Sequence, residues 1–322
     1  MGTRDMSAKH HGDWSDTQVS DSPAVEATAI PHRSGNISRR FRNGLISVLW
    51  ALAGVALVII MWELVKFFGT IIELPFRTDD TSMPHVATMI EAFGAPEVRG
   101  SETTVLQAVV MAALYSMLIA LCGFIIGVSV GLLLAIVMQR FNLMERGLLP
   151  FVIASQTVPL IALAPLIVGI GNRLSFGPIQ WNTTYSVMFI AAYLAFFPLS
   201  VGALRGLKAP TPTALELMRS YAATPRQMLT RLRFPASVPY LVPALKVSAA
   251  GAVVGTVVAE ISTGVRGGIG RLIVEYARET TSQPAKVYVA VFGAIALGLV
   301  IAAIVTAIDV YATRNLPKEG PA

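Results

Sequence analysis

The sequence predicts an all-α integral membrane protein with six transmembrane helices. Composition gives the first sign: of 322 residues, 54% are hydrophobic and only 14% charged. Soluble domains carry roughly 25% charged residues, so this chain is short of groups that must stay in water. The second sign is six apolar runs, each reaching the about 20 residues that cross the hydrocarbon core of a bilayer at 1.5 Å per residue. Backbone groups in lipid must be bonded within their own segment, so the runs read as helices. The third sign is that arginine and lysine gather between the runs. The net charge of +6 is therefore a topology signal, and no nucleic-acid partner is expected.

Residues 1–43 are rich in Ser, Asp, His and Thr and lack apolar periodicity. They read as a disordered cytoplasmic tail. A membrane domain over 44–312 follows, and 313–322 form a cytoplasmic C-terminal tail. The spans are Leu45–Phe68, Val105–Met138, Gly147–Ile170, Tyr185–Leu204, Ser237–Ser262 and Val287–Tyr311. The first is too long for a cleaved signal segment, and the second is long enough to tilt. Arg33, Arg39, Arg40 and Arg42 precede the first span and place the N-terminus in the cytoplasm. The loop 205–236 carries Arg205, Lys208, Arg219, Arg226, Arg231 and Arg233 against Glu216, the strongest inside signal in the chain. The loop after the fifth span contains Arg266, Arg271, Arg278 and Lys286. It is external by parity and breaks the rule.

Several chemistries are excluded. Cys122 is the only cysteine, so neither an intrachain disulfide nor a cysteine metal site can form. His10, His11, His32 and His85 lie in polar segments without ligand spacing and read as solvated. No G-x-x-x-x-G-K-[ST] sequence is present to cradle ATP phosphates, and no H-E-x-x-H to hold a catalytic metal. Neither cofactor, metal nor catalytic residue is expected.

Within the spans, Gly123, Gly127 and Gly131 recur every four residues, and Gly251 and Gly255 repeat the spacing. Such stripes let helix backbones approach closely, either as static packing or as a sliding surface. Pro150, Pro159 and Pro165 interrupt the third span and Pro198 the fourth. Each removes a backbone donor and permits a kink, which makes Pro159, Pro165 and Pro198 candidates for a pathway or gate. Glu260, near the external end of the fifth span, is a fourth candidate, since acids in a membrane usually face protein or water. Its plainer reading is a helix-end residue, solvated or paired with Arg266 or Arg271. Glu63 and Lys66, three apart, are expected to pair with each other.

The segment LKAPTPTALELMRSYAATPRQMLTRLRFPASVP (207–239) predicts a helix–turn–helix outside the membrane. Thr211 or Thr213 can cap a first helix, Ala222–Pro225 makes a turn, and Pro225 suits the first turn of a second helix. Met228, Leu229 and Leu232 fall on one face.

This segment resembles the EAA loop of type I ATP-binding-cassette importer permeases. The family pattern is Glu-Ala-Ala, three residues, Gly, nine residues, Ile, one residue, Leu-Pro. Glu216 stands at its Glu, Ala222 at its Gly, Leu232 at its Ile, Phe234 at its Leu and Pro235 at its Pro. Leu217 and Met218 replace the two alanines. TVPLIALAPLIVGIG (157–171), FFPLSVGALRGLKAP (196–210), PALKVSAAGAVVGTVVAE (243–260) and GGIGRLI (267–273) look like the subgroup importing sulfonates, taurine, nitrate, riboflavin and thiamine precursors. Two departures are Ile119, where many members carry Arg, and a longer external segment at 171–184. The resemblance implies a homodimer in a bacterial cell membrane, an ATPase subunit and an extracytoplasmic solute-binding protein. It also implies an ATPase-coupling role for Glu216, Arg219, Tyr221, Ala222, Ala223, Pro225, Arg226, Leu232 and Pro235. The rival reading is a secondary transporter or channel without an ATPase, which would need coupling carboxylates within the spans.

Overall fold

The structure is a computed structural model that describes residues 36–71, 77–98, 100–176, 179–279 and 283–313. The tail expected over residues 1–43 lies outside the described residues up to 35, as does most of the C-terminal tail. Contacts divide the chain into residues 1–58 and 59–322. The described part of the first unit belongs to α1 (Asn36–Ile71), which begins ahead of the expected domain start at 44. The second unit holds all remaining elements.

After the short α2 (Val86–Glu91), a capping box starts α3 (Val105–Arg140): Gln107 N donates to Thr104 Oγ1 at 3.3 Å, and Thr104 N to Gln107 Oε1 at 3.1 Å. The third span is broken. It consists of α4 (Asn142–Ser155) and α5 (Leu160–Gly171), bent by 103°. Pro159, at the N-cap of α5, lacks an N–H and forces Val158 away from helical geometry. Pro150 and Pro165 sit inside α4 and α5 without ending them. The expected continuous span is thus corrected to two short helices.

A small hairpin follows, β1 (Ser175–Phe176) antiparallel to β2 (Ile179–Gln180), inside the segment that is longer than in the family pattern. The Asn182 side chain accepts from Tyr185 N at 3.0 Å and opens α6 (Thr183–Leu207). Then come α7 (Pro212–Ser220), α8 (Pro225–Met228), a π turn (Leu229–Arg233), α9 (Phe234–Thr263), α10 (Ile269–Arg278) and α11 (Ala285–Thr313). Gly264, at φ +67, ends α9 with its N–H on Glu260 O. Among the described residues, five helices are long and apolar enough to span a bilayer, with a sixth span if α4 and α5 form one. The described fold is all-α apart from the hairpin.

α6 is the central helix. Gly123, Gly127 and Gly131 of α3 lie directly on its backbone: a Cβ on Gly127 would fall 2.5 Å from Ala192 O, and one on Gly131 would fall 2.6 Å from Phe196 O. Gly251 and Gly255 of α9 approach α6 on another side, at Leu194 O and at Ile190 O and Ala191. Pro198 sits half-buried within α6, which continues through it. Near the C-terminal end of α1, Glu63 accepts from Val86 N at 2.9 Å and meets His85 Nδ1 at 2.9 Å, while Lys66 pairs with Asp80 at 2.5 Å. The expected Glu63–Lys66 pair is therefore replaced by two pairs to the following loop, and His85 is partnered rather than merely solvated. Local spacing could not reveal partners 14 and 22 residues away.

Candidate functional site

Two constellations gather the residues singled out in the sequence. The first is the segment between α6 and α9. Thr211 caps α7, accepting from Ala214 N at 3.3 Å. Thr224 caps α8 in a box with Gln227, and Pro225 takes the first turn. Between them Ala222 adopts φ +51. Its N–H bonds Arg219 O at 2.9 Å, and Ala223 N bonds Met218 O at 3.0 Å. These two bonds make a Schellman close, which calls for a left-handed residue at this position. The family pattern has glycine there. Alanine carries the cost of its Cβ, about 1 kcal/mol, and the turn still forms.

Neither α7 nor α8 has a buried residue. Glu216, Arg219, Tyr221, Ala222, Pro225, Arg226 and Pro235 are exposed, and Ala223 and Leu232 are half-buried. Leu217 and Tyr221 are exposed at 57% and 77%. The apolar surface that a partner could cover is therefore Leu217 and Tyr221. Met228 is half-buried, and Leu229 packs inward against the cluster of Ala135, Met138, Ala203, Leu204 and Leu207. The single apolar face expected from Met228, Leu229 and Leu232 is thus turned largely to the chain's own core. Lys208 pairs with Glu145 of α4, and Arg233 Nη1 donates to Leu207 O at 2.8 Å.

The second constellation surrounds Glu260, which is completely buried. Ser116 Oγ of α3 lies 2.7 and 2.9 Å from its two carboxyl oxygens, and Gly270 N donates to Oε2 at 2.9 Å. Ser116 Oγ in turn accepts from Ile269 N at 2.8 Å. The carboxylate thus satisfies N–H groups at the start of α10, where helix donors lack intrahelical partners and a negative charge is favoured. The sequence GGIG makes room for it. A Cβ on Gly268 would strike the carboxyl, and one on Gly270 would sit 2.5 Å from Val257 O. Among the described residues no ion pair involves Glu260. Arg271 pairs with Glu275 instead, at 2.7 Å, so the expected pairing with Arg266 or Arg271 is corrected to a three-element brace. Ile119, where the family pattern often has Arg, is buried with Ala164, Val187, Ile190 and Ala259.

One pair went unnoticed in the sequence. Lys246 of α9 and Asp309 of α11 bond at 2.5 Å, although both fall inside apolar runs. Their registers on separate helices give no local signal. Each charge inside a span is costly unless paired, and that rule could have joined them.

The outer face of α9 is unpartnered. Tyr240, Val247, Val254 and Ile261, spaced by seven, are all more than 40% exposed. Ile161, Leu166 and Ile170 of α5 are also exposed, as are Pro159 and Pro165.

A multi-pass helical fold with an exposed helix–turn–helix between two spans defines a class of transport subunit, and comparison with known proteins agrees. A family model described as the binding-protein-dependent transport system inner membrane component matches residues 127–316. The chain belongs to this family. It is 35% identical over 138 residues to the formylaminopyrimidine transport permease protein ThiX of Halalkalibacterium halodurans, covering 43% of this chain and 52% of that one. It is 25% identical over 266 residues to the putative aliphatic sulfonates transport permease protein SsuC of Bacillus subtilis, covering 83% and 84%. It is 31% identical over 130 residues to the riboflavin transport system permease protein RibX of Chloroflexus aurantiacus, covering 40% and 45%. The match spans about half the length of the first and last of these relatives. All three names fall in the subgroup that the sequence resembles.

Proposed function

We propose that this chain is the membrane-spanning subunit of an ATP-driven importer in a bacterial cytoplasmic membrane, with both termini inside. Its loop 205–236 receives an ATPase subunit, and ATP hydrolysis takes place on that separate chain. The observation that carries this reading is the α7–α8 unit. It is capped at both helix starts, closed by a left-handed residue, and has no buried side chain. Its exposed Leu217 and Tyr221, flanked by Glu216, Arg219 and Arg226, offer an apolar anchor inside a charged rim, the arrangement of a protein-binding surface.

The unpartnered seven-residue spacing on α9 supports a second copy as its cover, since such a stripe packs against another helix. The pathway then runs between the two copies, lined by α5 and α9, with Pro159 at the break and Pro165 on the exposed face. Pro198 and Glu260 shape this pathway indirectly, one within the central helix and the other by bracing α10. The glycine stripes set the helix spacing behind it. The cargo is a small organic solute of the sulfonate, taurine, nitrate, riboflavin or thiamine-precursor class, delivered by an extracytoplasmic solute-binding protein.

The test replaces Tyr221–Leu229 with a Gly/Ser segment that keeps two arginines. The variant inserts and dimerises, but the ATPase no longer co-purifies and uptake stops. Retention of the ATPase together with normal uptake refutes the assignment. A wild-type protein that transports without any ATPase partner favours a secondary transporter instead.

A further inference from the structure

The loop between α6 and α9 returns to the spans at a tight crossing. A Cβ on Gly206 of α6 would fall 2.8 Å from Ser237 Cβ of α9, so the two backbones are nearly in contact there. One residue on, Leu207 ends α6. The last four carbonyls of a helix have no intrahelical donor and carry the negative end of its dipole. Leu207 O, in a fully buried residue, receives Arg233 Nη1 at 2.8 Å. The guanidinium keeps its charge at any relevant pH and holds its donors in a rigid plane, so it suits this carbonyl both as a donor and as a counter-charge.

The turn leading into Arg233 is not α-helical. The N–H of Phe234 reaches Leu229 O, five residues back, which makes Leu229–Arg233 a π turn. Such turns are rare, bend helices, and are frequent at functional sites. Here the π turn separates α8, which has no buried residue, from α9, which packs on α6. Arg219 and Arg226 are exposed, whereas Arg233 is half-buried and bonds back onto a different span.

We propose that Arg233 is the positioning residue that converts displacement of α7–α8 into a joint movement of α6 and α9. The proposal rests on the reading of this loop as the ATPase-coupling element. The π turn is the compliant joint. Arg233 is the tie beyond it, and it makes the C-terminal end of α6 follow the N-terminal end of α9. Without the tie, the loop flexes at Leu229–Arg233 and the spans stay in place. ATP binding by the partner then no longer reaches the face of α9.

The experiment uses the complex purified with its co-purifying ATPase, in a Cys122→Ala background carrying Val254→Cys on the exposed face of α9. The probe is a maleimide, and its reaction rate is measured with and without ATP plus vanadate. The parent complex shows a nucleotide-dependent change in rate. In Arg233→Ala the ATPase still co-purifies and hydrolyses ATP, but that change shrinks by about tenfold, a typical coupling between sites. Arg233→Lys, which keeps a charged donor, retains most of it.

An unchanged response in Arg233→Ala overturns the proposal. So does a lysine variant as defective as the alanine variant, because the donated bond is then not what matters. Loss of assembly in Arg233→Ala also overturns it, since Arg233 would then hold the fold rather than transmit motion. A parent complex with no ATPase, or with no nucleotide response, refutes the coupling reading itself, a result distinct from any failure of the Arg233 variants.

Discussion

Gly127→Ala adds one methyl group at the crossing of α3 and α6. Its Cβ would lie 2.5 Å from Ala192 O, 2.8 Å from Ala195 Cβ and 3.1 Å from Ala192 Cα. Two of these three atoms belong to backbone, so no side chain can swing aside and the helices must separate. Overpacking of this kind costs about 1–3 kcal/mol. Against it stands the better helix propensity of alanine, about 0.8–1.0 kcal/mol in soluble helices. The balance is a net loss of about 1 kcal/mol. Gly169 of α5 is the control, because a Cβ there meets nothing within 4 Å. The same substitution at Gly169 keeps only the propensity gain and is neutral or stabilising. Thermal unfolding of the detergent-solubilised protein, followed by loss of the monodisperse peak, reads both. Gly127→Ala lowers the midpoint and Gly169→Ala does not. Equal midpoints for the two variants would refute the argument that contact with the α6 backbone, rather than glycine content, fixes the stripe.

Further outcomes follow from the two constellations and the loop after α1. Ala222→Gly removes the left-handed penalty of about 1 kcal/mol and slows amide exchange across α7–α8, whereas Ala222→Val speeds it; the opposite order would mean that φ at this residue does not limit the turn. Glu260→Ala strands the Gly270 N–H and the Ser116 hydroxyl in a buried site, at about 1–3 kcal/mol for each group, while Glu260→Gln keeps an acceptor and loses less; equal thermal losses would refute the brace. The Asp80 carboxyl is held below its ordinary value of 3.8 by the hydrogen bond and charge of Lys66. A depressed carboxylate contributes stability that is full above its unfolded value and lost as pH falls through the lower folded one. Acid unfolding below pH 3.8 is therefore steeper in the wild type than in Asp80→Asn, and identical acid limbs would show that the pair contributes nothing.

The apolar segments and both helix starts of the loop 205–236 were legible because their causes are local. Apolar length, Thr211 before the first helix of that loop, and Pro225 in the first turn of the second all lie within a few residues of what they determine. Pro159 likewise announced a disturbance, although not that the axis would turn through 103°. What stayed hidden depends on residues far apart in the chain. Glu260 looked like a solvated helix end because Ser116, its partner, is 144 residues away. The glycines of GGIG were the available clue, since close approach of a side chain to backbone demands them. Leu229 falls on an apolar face with Met228 and Leu232, but helical periodicity cannot tell a face turned to another protein from one turned to the chain's own core, where Leu229 packs. The π turn has no sequence signature, and its extra residue shifts every face that a regular helix would assign beyond it.

The break between α4 and α5 also constrains the order in which the chain can mature. With 14 and 12 residues, these helices reach about 21 and 18 Å at 1.5 Å per residue, short of the roughly 30 Å hydrocarbon core. Neither can settle across a bilayer alone, and the turn at 156–159 exposes carbonyls that lipid cannot satisfy. Beside that turn, Ser155 O at the C-terminal end of α4 is taken by the Tyr193 hydroxyl of α6. That donor lies on a later helix and leaves the ribosome after the break it serves. The bent form of α4 and α5 is therefore completed only with α6 beside it.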